Sequence, residues 1–218
     1  MKIYQIFIVD DHPIFLKGLL LMLNEISDFK VIGEAVNGRD FLSKITEVKP
    51  DVVLMDIKMP ELNGIDATRE ALQLYPDLKV IALTMFGEQK YMDQMADAGA
   101  IGFLQKSVTR DELEKAVRQV SLGQPYFSTA IIADLSASVS NGSAAFLTDS
   151  FNERLTEREL EVLKYIVTGL SAQEIAEKMF LSFRTIEGHR SNLISKTNTR
   201  NVVDLVIFAI RNKLVEIR

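Results

Sequence analysis

The chain of 218 residues has no cysteine and only two histidines, His12 and His189. The absence of cysteine excludes disulfide bonds, thiolate metal sites and cysteine nucleophiles, and two histidines are too few for a metal site built from several imidazoles. With 5 prolines, 11 glycines and a composition that is 47% hydrophobic and 25% charged, the chain is neither collagen-like nor of low complexity. These counts predict an ordinary globular protein. His12 directly follows two aspartates, and we expect it to pack at the start of a helix.

Long apolar runs are also missing, and none approaches the roughly 18 residues that a membrane span needs. The apolar stretch near the N-terminus is closed by Asp10 and Asp11, and no small-residue cleavage site follows it. It is therefore not typical of a signal peptide. We expect a cytoplasmic protein without a membrane partner.

The charge is unevenly distributed along the chain. In total, 25 Lys and Arg stand against 30 Asp and Glu, a net charge of −5, but residues 178–213 contain seven basic and two acidic side chains. A chain of this length is long for one mixed domain and sufficient for two small ones. The pattern indicates two domains, of which the second contacts an anionic polymer.

Residues 1–122 alternate short apolar runs with segments of helical periodicity. Runs that are apolar on successive residues are typical of strands buried on both faces. Such alternation predicts a doubly wound α/β domain, and we expect a flavodoxin-like sheet of five parallel strands in the order 2-1-3-4-5. The five runs are Ile3–Val9, Val31–Val36, Val52–Met55, Val80–Leu83 and Ile101–Leu104.

The pattern changes twice after this domain. Residues 123–150 are expected to be a linker, because Ser136–Ser143 is uncharged and rich in serine, although a short helix near Ala130–Leu135 is compatible with the sequence. Residues 151–218 have helical periodicity throughout and predict a small all-α domain of four helices. The expected helix starts are Thr156 and Ser171, each with a Glu three residues later as in a capping box, and Ser182 and Asn201.

Polar residues follow four of the five predicted strands. They are Asp10 and Asp11 after strand 1, Asp56 after strand 3, Thr84 after strand 4 and Lys106 after strand 5. Because strands 1 and 3 are neighbours in the predicted sheet, the three carboxylates converge at its carboxyl edge. Carboxylates held this close repel one another unless a cation or a proton is shared, and Mg²⁺ suits oxygen ligands. The Lys and the Thr hydroxyl suit an incoming phosphoryl group.

The motifs around these positions resemble the receiver domain of two-component response regulators over about residues 1–122. The resemblance is carried by Asp10-Asp11-His12-Pro13, Asp56 with Met59-Pro60 and Gly64, Thr84, and Gly102-Phe103-Leu104-Gln105-Lys106. It implies that Asp56 accepts a phosphoryl group from a phosphohistidine on a sensor histidine kinase. The other implied roles are Mg²⁺ ligation by Asp10, Asp11, Asp56 and the main-chain carbonyl of Lys58, phosphoryl contact by Thr84 and Lys106, and a packing readout by Phe103.

Residues Leu155–Leu205 resemble the LuxR-type helix-turn-helix of the NarL/FixJ regulators. The resemblance is carried mainly by Leu155-Thr156-Glu157-Arg158-Glu159, Gly169-Leu170-Ser171, Glu174-Ile175-Ala176, Leu181-Ser182, Thr185-Ile186 and His189. It implies that the helix after Ser182 enters the DNA major groove. The residues expected to contact or seat on DNA are Arg184, Thr185, Glu187, Gly188, His189, Arg190, Ser191, Asn192 and Lys196.

Two of these positions depart from the family pattern. Glu187 stands where members often carry a base-contacting Lys, and Gly188 beside it offers no side chain. A carboxylate repels phosphate, although it can accept a hydrogen bond from cytosine N4. The base preference of relatives therefore does not transfer to this chain.

The last helix is apolar on more than one face. Val203, Val206, Ile207 and Ile210 exceed what one buried stripe needs. We expect these residues to pair with those of a second copy, so that a homodimer reads an inverted repeat in double-stranded DNA.

These features predict a transcription factor that is regulated by phosphorylation of Asp56 and that promotes no reaction other than its own phosphorylation and dephosphorylation. Two alternatives remain open. An aspartate-nucleophile phosphohydrolase would use similar strand-end residues, although the adjacent Asp10-Asp11 pair and the lack of a cap insertion are not typical of that class. A regulator that ignores phosphorylation would use the first domain only for dimerisation or ligand binding.

Overall fold

The computed structural model describes residues 2–85, 91–138 and 155–215. The chain divides into two compact units, Met1–Ile131 and Ile132–Arg218. Within the described residues, no helix is both long and apolar enough to cross a lipid bilayer.

The first unit is built on a parallel sheet in the order β2-β1-β3-β4-β5-β6. The strands are β1 Tyr4–Val9, β2 Phe29–Ala35, β3 Val52–Asp56, β4 Val80–Thr84, β5 Gly102–Gln105 and β6 Tyr126–Phe127. The helices are α1 Pro13–Asn24, α2 Gly38–Lys44, α3 Gly64–Leu74, α4 Met92–Ala98, α5 Arg110–Ser121 and α6 Thr129–Ser138, with a 3₁₀ turn at Ile45–Glu47. The doubly wound fold and the order of the first five strands are as the sequence predicts.

Successive residues of the central strands are buried on opposite faces of the sheet. On one face, Ile6, Leu54 and other strand residues form a single core with α1 and α5. On the other face, Phe7 of β1 packs edge-on against Phe41 of α2, with ring centroids 5.3 Å apart. Because both faces are covered, polar side chains reach solvent only where the strands end, which fixes where a site can form.

The prediction of five strands is wrong, because the sheet has a sixth. β6 lies within residues 123–150, the predicted linker, and pairs with β5 through Gly102–Tyr126 and Phe103–Phe127. Its backbone is held by bonds from Tyr126 N–H to the Ile101 carbonyl and from Ser128 N–H to the Phe103 carbonyl, each 3.0 Å. Two residues are too few to show a strand pattern, so this strand depends on tertiary pairing that periodicity does not reveal.

A helix follows β6 within the predicted linker. The helix considered near residues 130–135 is present as α6, which is longer than expected and contains the division between the two units. Residues 139–150, including most of the Ser-rich segment, lie outside the described residues.

The second unit contains the four helices that the sequence predicts. They are α7 Glu157–Val167, α8 Ala172–Met179, α9 Phe183–Thr197 and α10 Val202–Arg211. Each begins where a side-chain oxygen of the preceding residue accepts a backbone N–H: Thr156, Ser171, Ser182 and Asn201. Both predicted capping boxes are formed, so the local sequence specifies the helix starts.

Candidate functional site

Four charged residues meet at the carboxyl edge of the sheet. Lys106 Nζ lies 2.8 Å from Asp56 Oδ2 and 2.7 Å from Asp10 Oδ2, and all three side chains are almost fully buried. Asp11 is more open to solvent and lies next to His12, whose Nδ1 is 2.9 Å from Asp11 Oδ1. The sequence-predicted convergence of three carboxylates and the lysine is therefore present in the structure.

The backbone behind Asp56 fixes its position. Asp56 is the last residue of β3, and the chain returns to start α3 at Gly64. A Cβ atom at Gly64 would collide with the Asp56 carbonyl oxygen, and the Gly64 N–H donates to the Ile57 carbonyl at 3.0 Å. Only glycine allows this close approach, so the loop after β3 holds the carboxylate in a defined place.

The environment of Asp56 changes its acidity. Burial raises the pKa of the carboxyl group to about 6, while the hydrogen bond from Lys106 and the amide of Lys58 oppose the rise. Even so, a carboxyl group with this pKa is mostly ionised at pH 7 and above, which a nucleophile requires.

Two carboxylate oxygens in the cluster are available to a cation. Asp10 Oδ2 and Asp11 Oδ1 are buried and accept no hydrogen bond, since the contact with Lys106 lacks hydrogen-bond geometry. Ligand atoms of Asp10, Asp11, His12 and Asp56 all lie within 4.8 Å of one another. Lys106 Nζ and His12 Nδ1 lie 2.7 and 2.9 Å from these two oxygens, but neither oxygen accepts a hydrogen bond, so the donor set fits a hard divalent ion. The sequence predicts only a packing role for His12, and its place in the cluster is apparent only from the structure.

A cleft of about 430 Å³ opens beside Asp11. Its lining includes Lys58, whose carbonyl is a predicted ligand, and Tyr91, over whose ring Lys58 Nζ lies at 4.8 Å. Asp11 is the carboxylate of the acidic cluster that lines this cleft, and its side chain is 28% exposed.

Thr84 and Phe103 connect this edge to the rest of the sheet. Thr84 ends β4, is buried, and accepts at its carbonyl a 2.8 Å bond from the Lys106 N–H. Phe103 of β5 is fully buried and stacks on Phe127 of β6, with ring centroids 5.1 Å apart and planes inclined by 11°. Sequence reasoning missed Phe127, because its partner is apparent only once β6 is paired with β5.

The predicted DNA-contacting residues all lie on α9, the second helix of the helix-turn-helix. Ile186 and Leu193 face the core of the unit. The exposed members of the predicted set are Arg184, Thr185, Gly188, Ser191, Asn192 and Lys196, while Glu187, His189 and Arg190 are half-buried.

One of the two departures from the family pattern, Glu187, is paired with a neighbouring charge. Arg190 Nη1 lies 2.6 Å from Glu187 Oε1, and the Arg190 Nε is buried without a hydrogen-bond partner. The ion pair lowers the repulsion that a free carboxylate would exert on phosphate. Because its charge is partly neutralised by Glu187, Arg190 is also less available to contact DNA.

Lys196 has a structural contact that the sequence analysis did not foresee. Its Nζ lies 2.7 Å from Glu159 Oε2, and the Glu159 side chain is only 4% exposed. Glu159 also accepts the Thr156 N–H in the capping box of α7. Burial alone would raise the pKa of Glu159, but the hydrogen bonds from Lys196 and Thr156 hold it below its ordinary value. Lys196 therefore joins α9 to the start of α7.

The residues predicted to form a dimer face are covered by their own chain. Val203, Val206, Ile207 and Ile210 are each buried in the structure. The apolar excess on α10 is explained by burial within a small helical unit, and the inference that it marks an exposed pairing face is wrong. A homodimer itself stays a prediction.

Family models match both parts of the chain. Residues 6–118 match the response regulator receiver domain, and residues 153–209 match the bacterial regulatory proteins of the luxR family. The chain therefore belongs to the response regulators of the NarL/FixJ family, which join a receiver domain to a LuxR-type helix-turn-helix.

Curated relatives align along almost the whole chain. The oxygen regulatory protein NreC of Staphylococcus aureus is 35% identical over 217 residues, which cover 97% of this chain and 99% of NreC. The transcriptional regulatory protein YxjL of Bacillus subtilis is 34% identical over 212 residues, 97% of each chain. A solved structure of the RcsB response regulator of Salmonella typhimurium is 25% identical, covers 94% of this chain and 97% of its own, and has a TM-score of 0.59.

The Lys196–Glu159 contact leads to a stability prediction. Lys196→Met should lower the free energy of unfolding of the second unit by about 1–3 kcal/mol at pH 7, because it leaves a buried carboxylate without its cation. The lowered pKa of Glu159 means that the wild-type pair stabilises the fold above about pH 4.5. That contribution is lost as the pH falls from about 4.5 through the lowered pKa of Glu159, so the difference between the two proteins should narrow in acid.

Scanning calorimetry of the full chain at pH 7 and at a series of lower pH values below 4.5 measures this difference. Arg184→Met, which removes an exposed cation from the same helix, is the matched control and should change stability by less than about 0.5 kcal/mol. Equal stabilities of the Lys196→Met variant and the wild type would show that the contact is not structural.

Proposed function

We propose that this chain is a DNA-binding transcription regulator whose activity is set by phosphorylation of Asp56. The observation that carries the proposal is the Asp56 carboxylate, buried at the sheet edge between Lys106 and Asp10 in a chain that also has a recognition helix. A phosphoryl group adds a charge of about −1.5 to −2, and Lys106 is placed to neutralise part of it.

The proposed reaction is a transfer from a phosphohistidine of a sensor histidine kinase. An oxygen of the ionised Asp56 carboxylate attacks phosphorus, the O–P bond forms, and the N–P bond to the kinase histidine breaks. The leaving imidazole takes up a proton from solvent. Hydrolysis of the resulting acyl phosphate returns Asp56 to its free form, and these two steps on Asp56 are the only reactions that we assign to the chain.

Individual residues have separate parts in this transfer. Lys106 balances charge on the phosphoryl oxygens, and the Thr84 hydroxyl donates a hydrogen bond to one of them. Asp10, Asp11, Asp56 and the carbonyl of Lys58 would hold Mg²⁺. The ion, when bound, would supply positive charge to the phosphoryl oxygens.

The readout is a packing change that starts at Phe103. This residue has no hydroxyl, so its movement is reported by contact, and the ring that it contacts belongs to Phe127 in β6. One residue after Phe127, Ser128 bonds to the Phe103 backbone and begins the turn into α6. A shift of Phe103 therefore reaches the segment that leads to the second unit, whose recognition helix binds DNA in the cytoplasm. We further propose that the active form is a homodimer.

Replacement of the acceptor tests the chemistry. Wild-type protein with Mg²⁺ and acetyl phosphate should gain one phosphoryl group per chain by intact mass spectrometry, and Asp56→Asn should gain none. Asp111→Asn, which changes a carboxylate that is 81% exposed, is the control and should behave as the wild type. Stoichiometric phosphate on the Asp56→Asn variant would disprove the acceptor assignment, and repeated turnover of small phosphate esters by the wild type would favour a phosphohydrolase.

The Phe103–Phe127 contact leads to a separate prediction about coupling. Phe127→Leu should be phosphorylated to the same extent as the wild type, but its DNA affinity should respond less to phosphorylation, because the stacked ring is lost. Phe41→Leu alters a buried ring that packs on β1 instead, and it should retain the full response.

The measured quantity is the ratio of dissociation constants for DNA without and with phosphorylation, at one salt concentration. A ratio for Phe127→Leu that equals the wild-type ratio would exclude Phe127 from the coupling.

A further inference from the structure

Two exposed phenyl rings flank the start of the recognition helix. Phe180 is 95% exposed and Phe183 is 52% exposed. Among the described residues 155–215 they are the two large hydrophobic side chains in the exposed class, since the others are buried or half-buried. Between them lie Leu181 and Ser182, the N-cap of α9. Because these two rings are exposed to solvent, they add little hydrophobic stabilisation to the folded chain.

The backbone at Phe180 strengthens this point. Phe180 ends α8 in the left-handed conformation, with φ 55° and ψ 41°, which glycine and asparagine adopt at least cost. The equivalent position at the end of α9 is Asn198, with φ 55°. Neither burial nor backbone preference favours phenylalanine at position 180, so its ring is better explained by contact with another molecule.

The position of the pair identifies that molecule as DNA. In a helix-turn-helix, the N-terminal residues of the second helix face the base edges in the major groove, and Phe183 is the first residue of α9. Lys178 and Arg184 lie close to the two rings in the chain, with Glu177 and Glu187 on either side of this stretch, so basic side chains adjoin the rings and can contact a polyanion.

The chemistry of base reading then identifies the contact. Phenylalanine reads the C5-methyl group of thymine by apolar contact in the major groove. Further along α9, Gly188 has no side chain and Glu187 is paired with Arg190, so base reading falls largely to the exposed residues at the helix start, Phe183, Arg184 and Thr185. An apolar contact at the helix start therefore gains importance in this chain.

We propose that Phe183 determines part of the base specificity by contacting a thymine methyl group, and that Phe180 packs against the DNA beside it. This inference rests on the proposed DNA binding and deepens it. It adds two residues to the DNA-facing set predicted from the sequence, and it requires a thymine at a fixed position in the preferred site.

The experiment uses the full chain, activated with beryllofluoride and Mg²⁺, and a site selected from a randomised duplex pool. Each thymine of that site is replaced in turn by uracil, which removes only the methyl group, and the dissociation constant is measured at one salt concentration. The wild type should bind roughly 4-fold more weakly at one or more positions, the factor expected for one buried methyl group. Phe183→Ala should lose a similar factor on the thymine site and show no further loss with uracil there.

A second variant separates function from folding. Phe180→Asn places a residue suited to the left-handed backbone, so its melting temperature should equal or exceed that of the wild type while its DNA affinity falls. Leu122→Ala, which changes an exposed side chain of the first unit, is the control and should leave DNA affinity unchanged.

The outcomes are distinct. If Phe183→Ala keeps wild-type affinity and the same sensitivity to uracil, the rings do not face DNA, and a protein partner of the helix-turn-helix is favoured instead. If the wild type selects no DNA at all, the proposed function fails, and this inference fails with it.

Discussion

The site depends on the burial of two carboxylates and one ammonium group at one edge of a parallel sheet. Asp10 and Asp56 share Lys106 at 2.7 and 2.8 Å, in a place where the covered sheet faces exclude water. One lysine does not balance three neighbouring carboxylates, so the cluster retains negative charge. Burial is the main reason why the pKa of Asp56 rises to about 6, and the charge of Asp10 adds to the rise, while Lys106 opposes it. Such a cluster is sensitive to any ligand that alters its charge, which is what a regulatory phosphorylation site requires.

The sixth strand gives that edge a connection to the rest of the chain. A receiver ending at α5 would leave the ring of Phe103 at the border of the sheet, whereas here Phe127 covers it and Ser128 binds its backbone. Packed side chains favour a few discrete arrangements over continuous change, so a repacking of one ring forces a response in the other. In the proposed mechanism, the short segment from β6 into α6 carries this response from the receiver domain toward the second unit.

Much of this could be predicted from the sequence, because the informative signals are local. Buried strands, the polar residues that end them and the helix caps at Thr156 and Ser171 all depend on residues close in the chain. The features that the sequence does not predict depend instead on contacts between residues that are distant in the chain. β6 exists only through pairing with β5, and Lys196 meets Glu159 across 37 residues. The apolar faces of α10 looked like a pairing surface because a sequence does not show how many sides of a helix its own chain covers.

The central claim is that the charge state of position 56 controls DNA affinity. Its most direct test is the dissociation constant of the full-length wild type for a selected DNA site, with and without beryllofluoride and Mg²⁺, at one salt concentration. Beryllofluoride mimics the phosphoryl group on a carboxylate, so we expect the constant to change for the wild type and to stay the same for Asp56→Asn. An affinity of the wild type that ignores beryllofluoride would contradict the account.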